Sequence, residues 1–120
     1  MVHYQRIFGK IPSKSNCYRI VMVAGHASLA KQNALKEYEK NFFLQNGLRG
    51  KNITGFFKID VDVYYENMRP DLDNCFKILL DCLQASKTIK NDRQCVEIHA
   101  RKLIDKQNPR IEFKLEEVEL

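Results

Sequence analysis

Residues 69–74 read RPDLDN, with Asp71 and Asp73 one residue apart just before the apolar run CFKILLDCL. Two like charges this close have two explanations. Asp71 stands where a helix N-cap belongs, and Asp73 falls in the first turn, where the helix dipole favours an anion. Capping needs only one of them. The other explanation is a pair of hard oxygen donors for a divalent cation. An EF-hand loop is excluded, because Cys75 and Phe76 stand where Asp/Asn and Gly are required and Cys82 where the bidentate Glu belongs. A third acid, Asp92 in IKNDRQ, comes from a loop ahead of a strand, next to Lys90 and Arg93. Three carboxylates from two loops can bind Mg²⁺, and paired ions ~3.5–4 Å apart would activate a water and steady the leaving oxygen of a phosphodiester. Lys77 follows Asp73 by four residues, so a helix puts both on one side. There it can offset charge on a phosphorane-like transition state, or serve only as a weak surface partner of Asp73 or Asp81.

These residues need elements to position them. VHYQRIF (2–8) alternates as a first strand, and GKIPSKSN (9–16) is turn chemistry with two lysines. CYRIVMV (17–23) fits a strand or an extended loop. A helix is expected after Ser28, whose hydroxyl can cap it; Leu35, Tyr38 and Phe42 then recur at helical spacing and Asn46-Gly47 stops it. FKIDVDVYYEN (57–67) is the clearest strand, with Phe57, Ile59, Val61, Val63 and Tyr65 on one face and Asp60 and Asp62 on the exposed one. A second helix is expected over about 72–86, with Phe76, Leu79, Leu80 and Leu83 inward and Asn74, Lys77, Asp81 and Gln84 outward. After a loop at 86–94, CVEIHARKLI (95–104) and RIEFKLEEVEL (110–120) alternate as strands around DKQNP and suggest a hairpin. The order is roughly ββαβαββ, a single domain (1–120) of α/β (α+β) class with two helices packed on a mixed sheet.

Composition narrows the function classes. At 120 residues, 44% hydrophobic and 29% charged, the chain is an ordinary globule with no apolar run of membrane-helix length. Cys17, Cys75, Cys82 and Cys95 show no zinc spacing and read as free thiols of a reducing compartment, so a cytoplasmic address is expected. The net charge of +5 is uneven. Residues 1–60 carry ten Lys/Arg against three acids, and residues 61–120 ten against twelve. A basic half points to a polyanionic partner or to a solvated lysine surface. His3, His26 and His99 are scattered, and no Ser/His/Asp order, nucleophile elbow or phosphate-cradling Gly-rich loop is present.

The ordered set RPDLDNCFKILLDCL followed by IKNDRQCVEI resembles the RusA family of Holliday junction resolvases. Asp71, Leu72, Asp73, Asn74, Lys77 and Asp92 match the family's D-L-D-N, helix lysine and loop aspartate position by position. Upstream, IPSKSNCYR is similar to the family's Pro-Ser-Asn turn and ASLAKQNALKEYEKNF to its first helix. The resemblance implies a RusA-like fold and a homodimeric endonuclease, dependent on Mg²⁺ or Mn²⁺, that cuts paired strands of four-way DNA junctions. It implies that Asp71, Asp73 and Asp92 hold metal and that Lys77 lies near the scissile phosphate. Two departures touch the DNA contacts: Pro70 interrupts the basic run before Asp71, leaving Arg69, and Arg93 rather than an acid follows Asp92. With Lys10, Lys14 and Arg19 from the N-terminal turn, Arg69, Lys77, Lys90 and Arg93 form the expected DNA-binding set. The alternatives are a nuclease on the same scaffold that also cuts flaps or duplexes, and a basic binding module whose aspartates only cap a helix.

Overall fold

The alternation over 57–65 forms β4 (Phe56–Tyr65), which buries Phe57, Ile59, Val61, Val63 and Tyr65 and turns Lys58, Asp60, Asp62 and Tyr64 the other way. In the computed structural model, which describes residues 2–120, β4 lies inside a four-stranded sheet of order β1-β6-β4-β5. Its companions are β1 (Val2–Phe8), β5 (Cys95–Ile104) and β6 (Arg110–Val118). β6 runs antiparallel to both β1 and β4, and β5 parallel to β4. The sheet is therefore mixed, as expected.

The hairpin expected across DKQNP is not formed. β5 and β6 are consecutive in the chain, but β4 lies between them. Alternation reveals that a segment is a strand without revealing its neighbour. Here β5 takes the free side of β4 in parallel, joined to it by α3 (Asn74–Ala85) and a loop, because parallel neighbours need a long crossover.

Two helices cover one face of the sheet. α2 (Asn33–Gln45) contributes Leu35, Tyr38 and Phe42, and the Phe42 ring stacks on Phe113 of β6 with centroids 5.9 Å apart. α3 buries Cys75, Ile78, Leu79, Cys82 and Leu83, with Phe76 and Leu80 at the margin. Cys75 and Cys82 share the buried face, and all four cysteines are free thiols. Asn46 ends α2 and is fully buried. Its side chain donates to Thr88 Oγ1 (2.8 Å) and Ser86 Oγ (3.2 Å), and so ties the end of α2 to the end of α3.

Ser28 caps no helix. It lies in β3 (His26–Lys31), which pairs with β2 (Tyr18–Val23) in a separate two-stranded ribbon. The turn between them holds Ala24 and Gly25 at φ 50° and 79°, the doubly left-handed backbone of a tight hairpin turn. α2 starts later, with Gln32 at its N-cap and no side-chain capping bond. A four-residue helix, α1 (Lys14–Cys17), precedes the ribbon.

Candidate active-site cleft

α3 determines where the candidate residues lie. Asp73 is its N-cap residue, but its backbone is nearly helical (φ −75°, ψ −6°) and no side chain caps the helix. Leu72 packs against the core, which leaves Asp71 and Asp73 exposed on either side of it. The Asp71 main chain is held by the Tyr65 hydroxyl, which donates to its carbonyl (3.2 Å). Among the described residues the Asp71 carboxylate has no hydrogen-bond or ion-pair partner, and the nearest cation to Asp73 is Lys14 Nζ at 4.0 Å. Helix capping therefore does not explain the pair.

Both acids line a cleft of about 990 Å³ with Lys10, Lys14 and Arg69. Asn74 shapes this wall. Its Oδ1 accepts from the Lys14 backbone N–H (2.9 Å) and its Nδ2 donates to the Pro12 carbonyl (3.3 Å), so it pins the basic N-terminal turn to the start of α3. The four residues of DLDN thus divide their work: two exposed acids, a leucine anchor and an asparagine clamp. The sequence places Asn74 in the motif and on the outward stripe of the helix; no local pattern signals its partners sixty residues away. Tyr38 also lines the cleft, with its hydroxyl buried and unpartnered among the described residues. Burial pushes its pKa well above the ordinary value.

Lys77 is on the expected side of α3 but outside the lining of this cleft. Its ammonium lies 3.6 Å from Asp81 and 5.1 Å above the Tyr18 ring. Tyr18 in turn donates to Asp81 (2.5 Å), and burial first, then that hydrogen bond, raises its pKa. Tyr18 was absent from the expected set, although it organises the Lys77 environment.

Asp92 opens a 3-10 turn (Asp92–Gln94) whose N-cap, Asn91, accepts from the Arg93 backbone N–H (3.0 Å). The Asp92 N–H donates to Gln84 Oε1 (3.1 Å). Gln84 is about three turns along α3 from Asp73. Among the described residues, no three His, Cys, Asp or Glu side chains are grouped closely enough to hold one metal ion. The cleft therefore gathers Asp71 with Asp73 but not Asp92. Lys90 lines a second cleft, of about 370 Å³, with Lys31, Lys87, Asp81 and Gln84; Arg93 is exposed, and Arg19 lies on the ribbon. The outward side of α3 thus runs from an acid pair with three cations, past Lys77, to a lysine-rich end.

A mixed sheet covered on one face by two helices, with an acid pair in a cationic cleft, defines a small α+β protein built to meet a polyanion. The family model described as Endodeoxyribonuclease RusA matches residues 12–116, and the chain belongs to that family of Holliday junction resolvases. It is accordingly a hydrolase of DNA phosphodiester bonds, as the resemblance implied. Comparison with curated proteins finds no significant match. No helix of the described residues is long and apolar enough to cross a membrane.

Proposed function

We propose that the protein resolves four-way DNA junctions in recombination and repair as a Mg²⁺-dependent homodimer in the cytoplasm, with Mn²⁺ able to substitute. One observation carries the metal assignment: Asp71 and Asp73 are exposed in a cationic cleft without performing the capping that would otherwise explain them. Two carboxylates suit Mg²⁺, which keeps several waters and takes substrate phosphate oxygens for the rest of its shell. When bound, the cation would lower the pKa of a water and offset charge on the scissile phosphate. Lys10, Lys14 and Arg69 line the same cleft and bind flanking phosphates, while Lys90 and Arg93 do so at the far end of α3. Lys77, half-exposed on a flexible stem, swings from Asp81 to the reacting phosphate.

Asp92 completes the acid set from a second copy. In one protomer it stands at the opposite end of α3, whereas a two-fold dimer, matching the two-fold symmetry of the junction, could bring it to the partner's acid pair. Mixing Asp73→Asn protein with Asp92→Asn protein tests this arrangement. Sharing between protomers regenerates one intact site per mixed dimer and restores nicking of one strand. Mixtures as inactive as their components would place Asp92 in its own protomer's chemistry.

The reading as a whole is tested with a synthetic junction and a matched linear duplex, each with Mg²⁺ and with EDTA. Cleavage of the junction alone, and only with the metal, is the expected result. Equal cutting of duplex would make the protein a structure-tolerant nuclease. Binding without any cutting would leave only a basic binding module.

A further inference from the structure

Asp71 lies on the segment that joins β4 to α3. No side chain between Tyr65 and Leu72 is buried, so hydrogen bonds rather than packing set the course of this segment. Two long side chains from neighbouring parallel strands hold it from beneath. Tyr65, the last residue of β4 and only 3% exposed, donates from its hydroxyl to the Asp71 carbonyl (3.2 Å). Lys102 of β5, paired in register with Val63 of β4, donates from its ammonium to the carbonyls of Pro70 (2.9 Å) and Met68 (3.2 Å). Local bonds add to these: the Arg69 N–H donates to Asn67 Oδ1 (2.9 Å) and the Asn74 N–H to the Asp71 carbonyl (3.1 Å).

This clamp stands behind a carboxylate that nothing else restrains. The Asp71 side chain has no partner among the described residues, so its place in the cleft is set through its main chain. Two carboxylates one residue apart repel, and a slack segment would let them drift apart until a cation arrived. Binding would then have to overcome the entropy of ordering the chain. Lys102 points to the same role. An ammonium is strongly hydrated and has three N–H donors, yet here two of them meet main-chain carbonyls on either side of Arg69, next to Asp71. We propose that Tyr65 and Lys102 are positioning residues for the metal site, holding Asp71 in the cleft with Asp73 before the cation binds. This inference rests on the metal reading above.

The test titrates Mn²⁺ into the intact protein without DNA and follows the free ion by its electron paramagnetic resonance signal. Asp71→Asn protein gives the background from other sites. Tyr65→Phe and Lys102→Met should each raise the Mn²⁺ dissociation constant by ~10–100-fold, the loss usual when a group that orients a metal ligand is removed. Cleavage should need correspondingly more metal, while the rate at saturating metal falls far less. Tyr65→Phe keeps its ring in the core and carries the test alone should Lys102→Met not fold. A lower melting midpoint with wild-type Mn²⁺ affinity would make both side chains plain loop anchors and overturn the clamp. Wild-type protein that binds no more Mn²⁺ than Asp71→Asn is a different result, which overturns the metal reading and the clamp with it.

Discussion

The outer face of the sheet and the cleft at the start of α3 use the same acidic residue types to opposite ends. Across the sheet one register row reads Arg6, Glu112, Asp62, Arg101. Its two facing acids would repel, but each has its own guanidinium: Arg6 and Arg110 reach Glu112 at 3.1 and 2.6 Å, and Arg101 grips Asp62 through two bonds of 2.8 and 2.9 Å. Arg110 also bonds Asp105 (2.8 Å). In the cleft, by contrast, Asp71 has no partner among the described residues and Asp73 has only a distant lysine. Acids whose charge is met by arginine belong to the architecture. Acids left unmatched beside cations are what the proposed metal site requires, with the cations left to meet the phosphate.

The comparison breaks most sharply at Asp71 and Asp73. Asp71→Asn or Asp73→Asn should reduce junction cleavage to background while junction binding and the thermal midpoint stay as in wild type, since neither side chain caps α3. Gel assays of cleavage and binding beside a melting curve check this; a variant that still cuts at near wild-type rate would remove that residue from the metal site. Next comes Lys77→Met, which should slow single-turnover cleavage at saturating Mg²⁺ by ~10²–10³, the loss expected for one electrostatic donor to the transition state. A wild-type rate would make Lys77 a surface partner of Asp81 and nothing more.

Smaller effects fall on binding. Lys14→Ala keeps the main-chain bond to Asn74 but removes a cation from the cleft, and should flatten the log–log salt dependence of junction affinity by roughly 0.9. An unchanged slope would return Lys14 to the solvated surface.

The smallest effects lie on the sheet and should spare cleavage entirely. Arg110→Met leaves Glu112 short of a partner and should destabilise the fold by about 1 kcal/mol, read from denaturant midpoints. The pH dependence has a definite sign. Burial raises the Glu112 pKa, but bonds from Tyr4 and Arg110 and the charges of Arg6 and Arg110 bring it below the ordinary 4.5. The Arg110 hydrogen bond similarly lowers Asp105 below 3.8. Carboxyls lowered by folding lend stability that is present above these ordinary values and lost as pH falls through the depressed ones. Arg110→Met should therefore weaken the acid dependence of unfolding; an unchanged profile would show that the arginine contributes little to either shift.

Much of this was legible in the sequence, for identifiable reasons. β4, β6 and the two long helices each bury one face and β5 covers one in part, so period-two and period-3.6 patterns survive in them. The ribbon was obscured because it buries almost nothing, and burial is what writes a pattern. Its one local signal, Ala24-Gly25 at the turn, was masked by the plausible cap at Ser28. Asp71, Asp73 and Lys77 could be picked out because their neighbours fix a helix start. What remained hidden was relational: β4 slipping between β5 and β6, Asn74 reaching back to Pro12 and Lys14, and Asp92 held at the far end of α3 by Gln84. Each depends on partners distant in the chain, about which local spacing says nothing.

The position of β6 has a consequence for how a cell makes this protein. β6 is the final strand in chain order, yet it lies inside the sheet and is the only hydrogen-bonded neighbour of β1 among the described strands. On the ribosome, residues near Tyr4 must wait for residues near Glu112, 108 positions later, which at usual elongation speeds is roughly 5–20 s. Until then β1 lacks the strand of this sheet with which it pairs. The four-stranded sheet is therefore completed only when translation of this region has finished.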